Sequence, residues 1–346
     1  MRAPLVTVAI PTRNRARMLR DALESLATQT FPDFEVVVCD NASDDETPDV
    51  VRSFDRRFRL DRSPADIGFA ANHLRALDAG SGPYLTILQD DDVLAPRSLE
   101  RRVALLDRER DVAMVHSAFT VGDIDLEPIE KVASWDGSDV DVIRAPDEFR
   151  WRTFADGRRS HLSMSLYRRA ALDTRTLDLF DAEVLELAAS LRCSLYGRIG
   201  FVAEPLGTVR YHVGQNAVNS GVADARAAFA RTFAQVKLFR DETRRFLMLF
   251  GRELPNAREL DRAAAKWARF ELARQCLAAL PPRPAPIATA AKLRDSARIE
   301  PSMRRDVRSA WVLLNGTVGP RQRATLARLA RRPQTNEEQE GRTRAR

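Results

Sequence analysis

The first 120 residues alternate between two kinds of segment, and this restricts the fold more than any other feature of the chain. Short apolar, β-branched runs recur at 5–10 (LVTVAI), 34–39 (FEVVVC), 84–89 (YLTILQ) and 112–119 (VAMVHSAF). They are nearly continuous rather than alternating, as in strands covered on both faces. Between them lie segments of helical period. In 16–29, Leu19, Ala22, Leu23 and Leu26 share one face. Thr47 to Phe54, 67–79 and Pro96 to Asp107 read as further helices. The last carries its proline near the start, where a missing N–H costs little. Phe58 to Leu60 reads as a brief strand, and Pro11 is expected to stop the first one. Strands alternating with helices mean βαβ units and a doubly wound, mostly parallel sheet of the α/β class. Ligands of such sheets lie at the carboxyl ends of strands. The polar loops 12–15, 40–45 and 90–92 all follow strands, so they are expected to converge on one rim.

Beyond residue 120 the pattern changes. Residues 120–160 have no clear period, 160–169 read as a short strand entering a helix, and 180–192 as a helix. Strands follow at 199–203 and 207–211. From about residue 225 the pattern is helical: 225–250, 257–280, 286–297, 302–315 and 320–332, with PPRPAP (281–286) as a stiff break. The expected organisation is an α/β domain over 1–222, a basic helical region over 223–332 and a disordered polar tail over 333–346. The formal net charge is +6, but 1–224 holds 28 basic and 37 acidic residues, whereas 225–346 holds 27 and 12. That split points to an anionic partner or to solvated helix faces. Only four of the 55 basic residues are lysine, which fits compositional drift.

Three cysteines (Cys39, Cys193, Cys276) without a CxxC pair argue against a disulfide scaffold or zinc finger and fit a reducing compartment. The opening apolar run of about seven residues is too short for a signal peptide or a membrane span. The expected location is cytoplasmic, open to peripheral contact with the inner face of the membrane.

The sharpest local signal is Asp90-Asp91-Asp92 at a strand end. Adjacent carboxylates repel and raise one another's pKa unless a cation is present. Oxygen-only donors suit Mg²⁺ or Mn²⁺, which take one or two carboxylates plus substrate phosphates. The alternative is an Asp-rich turn capping the next helix.

Three ordered blocks carry a resemblance: VTVAIPTRNRARMLRDALESLATQTFPDFEVVVCDNASDDET (6–47), DIGFAANHLRALDAGSGPYLTILQDDDVLAP (66–96) and GRIGFVAEPLGTVRYHVGQNA (197–217). Together they resemble the inverting family 2 glycosyltransferases of GT-A fold. The resemblance implies a nucleotide-diphosphate sugar donor (UDP-, dTDP- or GDP-linked) and an acceptor hydroxyl on a sugar, lipid-linked sugar or small-molecule glycoside. Pro11 and Thr12 match the first nucleotide-side loop, which Asn14 and Arg15 continue. Asp40 matches the acidic residue that bonds the base, and Asn41 replaces a commoner second Asp. Gly68 and Asn72 match the nucleotide-side loop and helix. The Asp triplet matches the metal motif: Asp91 falls on the most direct ligand, Asp90 and Asp92 join it in the implied ligand set, and Gln89 stands where many members have the first Asp. His212 matches a His that reaches the metal or diphosphate. The family's general base matches the stretch LFDAEVLELAASL (179–191), where Asp181 and Glu183 compete and Asp181 could equally cap a helix.

Other classes fit less well. No GxxxxGK[ST], HExxH or GxSxG occurs. A sugar-1-phosphate nucleotidyltransferase would want glycines after the first strand, and IPTRNR has none. A membrane- or nucleic-acid-binding protein would use the basic region. Residues 225–250 mix Arg with Phe229, Phe233, Leu238, Phe246, Leu247 and Phe250, but no aromatic-interleaved basic strand supports nucleic acid.

Overall fold

The computed structural model of the protein describes residues 3–132, 136–211 and 225–278. The chain forms two compact units, Met1–Gly221 with Met248–Phe250, and Val222–Leu247 with Gly251–Arg346.

The first unit is built on one mixed sheet. Its strands are β1 (Val6–Thr12), β2 (Phe34–Asp40), β3 (Phe58–Arg62), β4 (Tyr84–Ile87), β5 (Val93–Leu94), β6 (Val112–Gly122), β7 (Pro128–Val132), β8 (Val142–Arg144), β9 (Ser165–Arg168) and β10 (Arg198–Arg210). Its helices are α1 (Ala16–Ala27), α2 (Thr47–Arg52), α3 (Phe69–Asp78), α4 (Ser98–Arg108), α5 (Pro146–Asp156), α6 (Thr174–Leu177) and α7 (Leu185–Cys193). The strand order is β3-β2-β1-β4-β9-β6-β10-β5, with β7 beside β6 and β8 beside β10. β1 to β4 run parallel, as the apolar runs predict. β9 is inserted antiparallel between β4 and β6, and β6 and β10 are again parallel. Every residue of β1 is buried, and α1 covers the sheet with Leu19, Ala22, Leu23 and Leu26. Each such leucine contributes about 1.5–3 kcal/mol when fully buried.

Register decides where the loops emerge. Thr12 pairs with Asp40, and Asp40 with Arg62, so the carboxyl ends of β1, β2 and β3 are level.

Several expectations are corrected. Pro11 does not stop β1, which continues to Thr12. Pro11 faces the β4 side, and β4 pairs with β1 only as far as Ala9, so the missing N–H breaks no ladder bond. The two strands expected at 199–203 and 207–211 are one, β10, whose register slips on either side of Pro205. The strand within 160–169 leads only into a single 3₁₀ turn (Arg169–Ala171), and 180–192 splits into another (Ala182–Val184) and α7. The unreadable stretch 120–160 holds β7, β8 and α5.

The second unit holds α9 (Ala257–Ala278) and α8 (Ala225–Phe250) as far as Leu247. The Phe239 ring lies 4.4 Å from Trp267, and Arg240 pairs with Asp261 at 2.7 Å. Phe246, expected as part of a membrane-facing stripe, is fully buried. The helices expected at 286–297, 302–315 and 320–332 and the tail 333–346 lie outside the described residues. Among the described residues no helix is long and apolar enough to cross a membrane.

Candidate active site

The three polar loops do meet at one rim. Thr12, at the tip of β1, donates its hydroxyl to Asp90 Oδ2 at 2.7 Å. Arg15 reaches from the same loop to Asp90 Oδ1 at 3.0 Å and Asp91 Oδ2 at 3.2 Å. Asn14 takes a positive φ of 54°, and its amide joins the two loops: its N–H donates to Ser43 Oγ, and its Oδ1 accepts from the Asp44 N–H, both at 2.9 Å. Pro11 stays inside the strand, opposite Cys39.

Asp40 is fully buried at the tip of β2. Its Oδ1 accepts from the N–H (3.0 Å) and hydroxyl (2.5 Å) of Ser43, an Asx turn. Its Oδ2 accepts no hydrogen bond, and Arg62 Nε stands 3.6 Å away. A buried carboxylate oxygen without a donor calls for one. Asn41 donates to Asp66 at 2.7 Å and accepts from the Ile67 N–H at 2.8 Å. This arches the 66–68 loop over the end of β2, and Arg13 pairs with Asp66 from the opposite side. Gly68 sits at φ 84°, a conformation side-chain-bearing residues avoid, with open space where a Cβ would point. Asn72 is tied inward: its amide donates to the Cys39 carbonyl at 2.8 Å and accepts from Arg75.

The Asp triplet divides. Asp90 is pushed up to about 6, chiefly by burial and also by Asp91, against the pull of Arg15. Burial works against the Arg15 charge, but Asp90 and Asp91 outweigh it and hold the guanidinium protonated. Asp92 is raised well above the usual carboxylate range, by burial and then by Asp91. Its Oδ2 accepts from the Ser163 hydroxyl at 2.5 Å and its Oδ1 from the Arg210 N–H at 3.1 Å. Gln89 faces His73 Nε2 at 3.1 Å. Burial lowers the His73 pKa, so the ring is neutral. A neutral ring donating from Nδ1 to the Phe69 carbonyl must accept at Nε2, so the Gln89 amide nitrogen belongs on that side.

Asp90 and Asp91 offer hard oxygens at a site that concentrates negative charge, and Arg15 answers that charge here. Mg²⁺ and Mn²⁺ commonly use one or two carboxylates and complete their shells with substrate phosphates and water, so this donor set fits. His212 lies outside the described residues.

Of the two expected bases, Asp181 is exposed and its Oδ1 accepts the Glu183 N–H at 2.9 Å, a capping bond; Glu183 is also exposed. Sequence reasoning passed over Glu186. Burial raises its pKa, Arg159 opposes that rise, and the pair stands 3.7 Å apart. On the same segment, His161 Nδ1 lies 3.9 Å from Asp92 Oδ2. The available signal was a lone charge within the apolar run VLELAAS. Arg210 is 1% exposed and turned inward.

A loop-borne acidic site at level strand tips is common to many folds, so sequence kinship decides among them. Residues 7–174 match the profile of Glycosyl transferase family 2. Through this segment the chain belongs to glycosyl transferase family 2. It is 40% identical over 106 residues to the validoxylamine A glucosyltransferase of Streptomyces hygroscopicus, covering 29% of this chain and 25% of that one. The chain spans 42–62% of the length of the first three curated relatives it matches. Among solved structures, Staphylococcus aureus TarS 1–349 superposes with a TM-score of 0.57 at 17% identity, covering 98% of this chain and 91% of that one. TarS has also been solved with UDP. The mannosyltransferase PcManGT of Pyrobaculum calidifontis, solved with GDP-Man and Mn²⁺, gives 0.51 at 18% identity, covering 95% and 85%. At such identities the likeness carries the fold, the GT-A arrangement.

Proposed function

We propose that this family 2 protein transfers a sugar from a nucleotide-diphosphate donor to an acceptor hydroxyl, inverting the anomeric centre. The observation that carries the reading is the meeting of three loops at level strand tips. It sets the unspent Asp40 oxygen on the same rim as the Asp90–Asp91 pair. Asp40 Oδ2 accepts a ring N–H of uracil, thymine or guanine. Thr12, Asn14, Asn41 and the Gly68 loop shape the nucleotide side, while Asn72 and Pro11 support it from within. Asp91 and Asp90 would hold Mn²⁺ or Mg²⁺, with His212 as the further ligand the resemblance implies. The ion, when bound, stabilises charge on the leaving diphosphate. Arg15 stands beside the same carboxylates and adds positive charge there.

As the acceptor oxygen attacks the anomeric carbon and the nucleoside diphosphate leaves, a carboxylate takes the hydroxyl proton. Asp181 and Glu183 match the family stretch. Glu186 is a third candidate, because burial raises its pKa and Arg159 stands 3.7 Å from its carboxylate. Glu186→Gln should then lose turnover and keep donor affinity; if only Asp181→Asn or Glu183→Gln does so, the base lies there. The acceptor is a sugar, lipid-linked sugar or small-molecule glycoside. The basic excess of 225–346 suits contact with an anionic membrane surface.

Titration with UDP, dTDP and GDP, with and without Mn²⁺, tests the reading. Tighter binding of one nucleotide with the ion is expected. No binding of any, in either condition, ends it.

A further inference from the structure

Asp92 belongs to the same acidic run as Asp91, yet its chemistry is different. Both of its oxygens are spent inside the protein, Oδ1 on the Arg210 N–H at 3.1 Å and Oδ2 on the Ser163 hydroxyl at 2.5 Å, and the side chain is 2% exposed. Ser163 does more than hold Asp92. Its Oγ also accepts the Gln89 N–H at 3.0 Å, and the Asp92 N–H donates to the Gln89 carbonyl at 3.1 Å. One hydroxyl therefore spans both ends of the four-residue turn that presents Asp90 and Asp91. The Ser163 carbonyl is itself contacted by the fully buried Arg102 at 3.4 Å.

Arg210 closes the other side. Its Nε donates to the Asp91 carbonyl at 2.8 Å, Nη1 to the Ile124 carbonyl at 2.5 Å, and Nη2 to Asp21 of α1 at 2.7 Å. The end of β10, the β6–β7 loop and α1 are thus pinned to the backbone of the residue offered as principal ligand. Fixing the Asp91 peptide limits where its carboxylate can point.

We propose that Asp92 is a positioning residue: with Ser163 and Arg210 it clamps the 89–92 turn so that Asp91 faces the rim, and it does not itself take the cation. This rests on the transferase reading above. It assigns Asp92 differently from the family resemblance, which grouped it with the metal ligands.

The test is Mn²⁺ binding, followed by electron paramagnetic resonance with UDP or GDP present, on the full chain and its variants. Metal-free nucleotide affinity and Tm are measured in parallel. Asp91→Asn should remove detectable Mn²⁺ binding. Asp92→Asn can keep both hydrogen bonds, its amide oxygen facing Arg210 and its NH₂ facing Ser163 Oγ. Losing an outer-shell bond costs about 10–100-fold in metal affinity, so Asp92→Asn should stay within about threefold of wild type while Ser163→Ala weakens Mn²⁺ about tenfold. Metal-free nucleotide affinity should be unchanged in both, a separation that general loosening of the fold would not produce. If Asp92→Asn loses Mn²⁺ as completely as Asp91→Asn, Asp92 is a ligand and the proposal is wrong. It is equally wrong if Ser163→Ala binds Mn²⁺ like wild type. Should Ser163→Ala not fold, Asp92→Asn alone decides. A wild-type chain that binds neither Mn²⁺ nor nucleotide overturns the transferase reading and this clamp together.

Discussion

Arg13 and Arg15 at the rim face carboxylates, whereas Arg168 and Arg169 at the end of β9, and most of Arg210 in β10, face backbone carbonyls. At the rim, Arg13 pairs with Asp66, and Arg15 with Asp90 and Asp91; these arginines are 47% and 26% exposed. At the seam, Arg169 donates to the carbonyls of Gly82, Leu77 and Ala79 at 2.7, 3.0 and 2.8 Å. Arg168 does the same for Val112, Leu106 and Glu109, and Arg210 for Asp91 and Ile124. The same side chain serves opposite ends. A half-wet ion pair can be exchanged for a ligand or a cation, because water resolvates whatever is released. A guanidinium spread over several carbonyls cannot leave without taking a donor from each of them.

Four measurements can break or sharpen this contrast. The largest effect is expected at the rim: Asp91→Ala should abolish metal-dependent donor turnover with little change in Tm. Full turnover in excess chelator would remove the cation from the mechanism. Next, Arg169→Ala should destabilise the fold by about 2–4 kcal/mol, since it leaves several carbonyls unsatisfied. Arg13→Met, which removes the exposed pair with Asp66, should cost less than about 1 kcal/mol. Denaturant midpoints compare the two, and equal losses would erase the distinction.

The third prediction concerns pH. His116 in β6 packs between Phe149 and Phe201, and its Nε2 accepts or donates no hydrogen bond. Burial pushes its pKa down to about 4, and that of His161 likewise. Below the ordinary histidine value the unfolded chain takes up protons that the folded chain refuses, so stability is full above about pH 6.5 and is lost as pH falls towards 4. His116→Phe should recover up to about 3 kcal/mol of that loss at pH 4, with His161 responsible for a similar remainder. Identical acid slopes for variant and wild type would show that His116 does not contribute. The smallest effect is expected for Asp40→Asn, which should weaken nucleotide binding about tenfold, the worth of one charge-assisted bond. Unchanged affinity would mean that Asp40 Oδ2 faces no ligand.

The legible parts of this molecule share a cause. β1, β2, β4 and α1 each carry enough apolar residues at one period to be read alone, and parallel pairing then brings their loops to one rim. β7, β8 and β9 have five, three and four residues. Their pairing depends on partners far along the chain, so no local period marks them. Asp40, Asp90 and Asp91 stood out because carboxylates at strand ends are chemically conspicuous. Glu186 did not, since a single Glu in an apolar helix looks like a surface residue until burial is known.

Sequence alone was sufficient to establish a parallel α/β unit, the convergence of its polar loops and the family to which it belongs, because local periodicity and motif order are written in consecutive residues. Tertiary structure decided that Pro11 lies within a strand, that Asp92 turns inward while Asp91 meets the rim, and that Arg210 is buried as a brace. Those outcomes depend on which distant backbone groups need a hydrogen-bond partner, a requirement that arises only once the strands have paired.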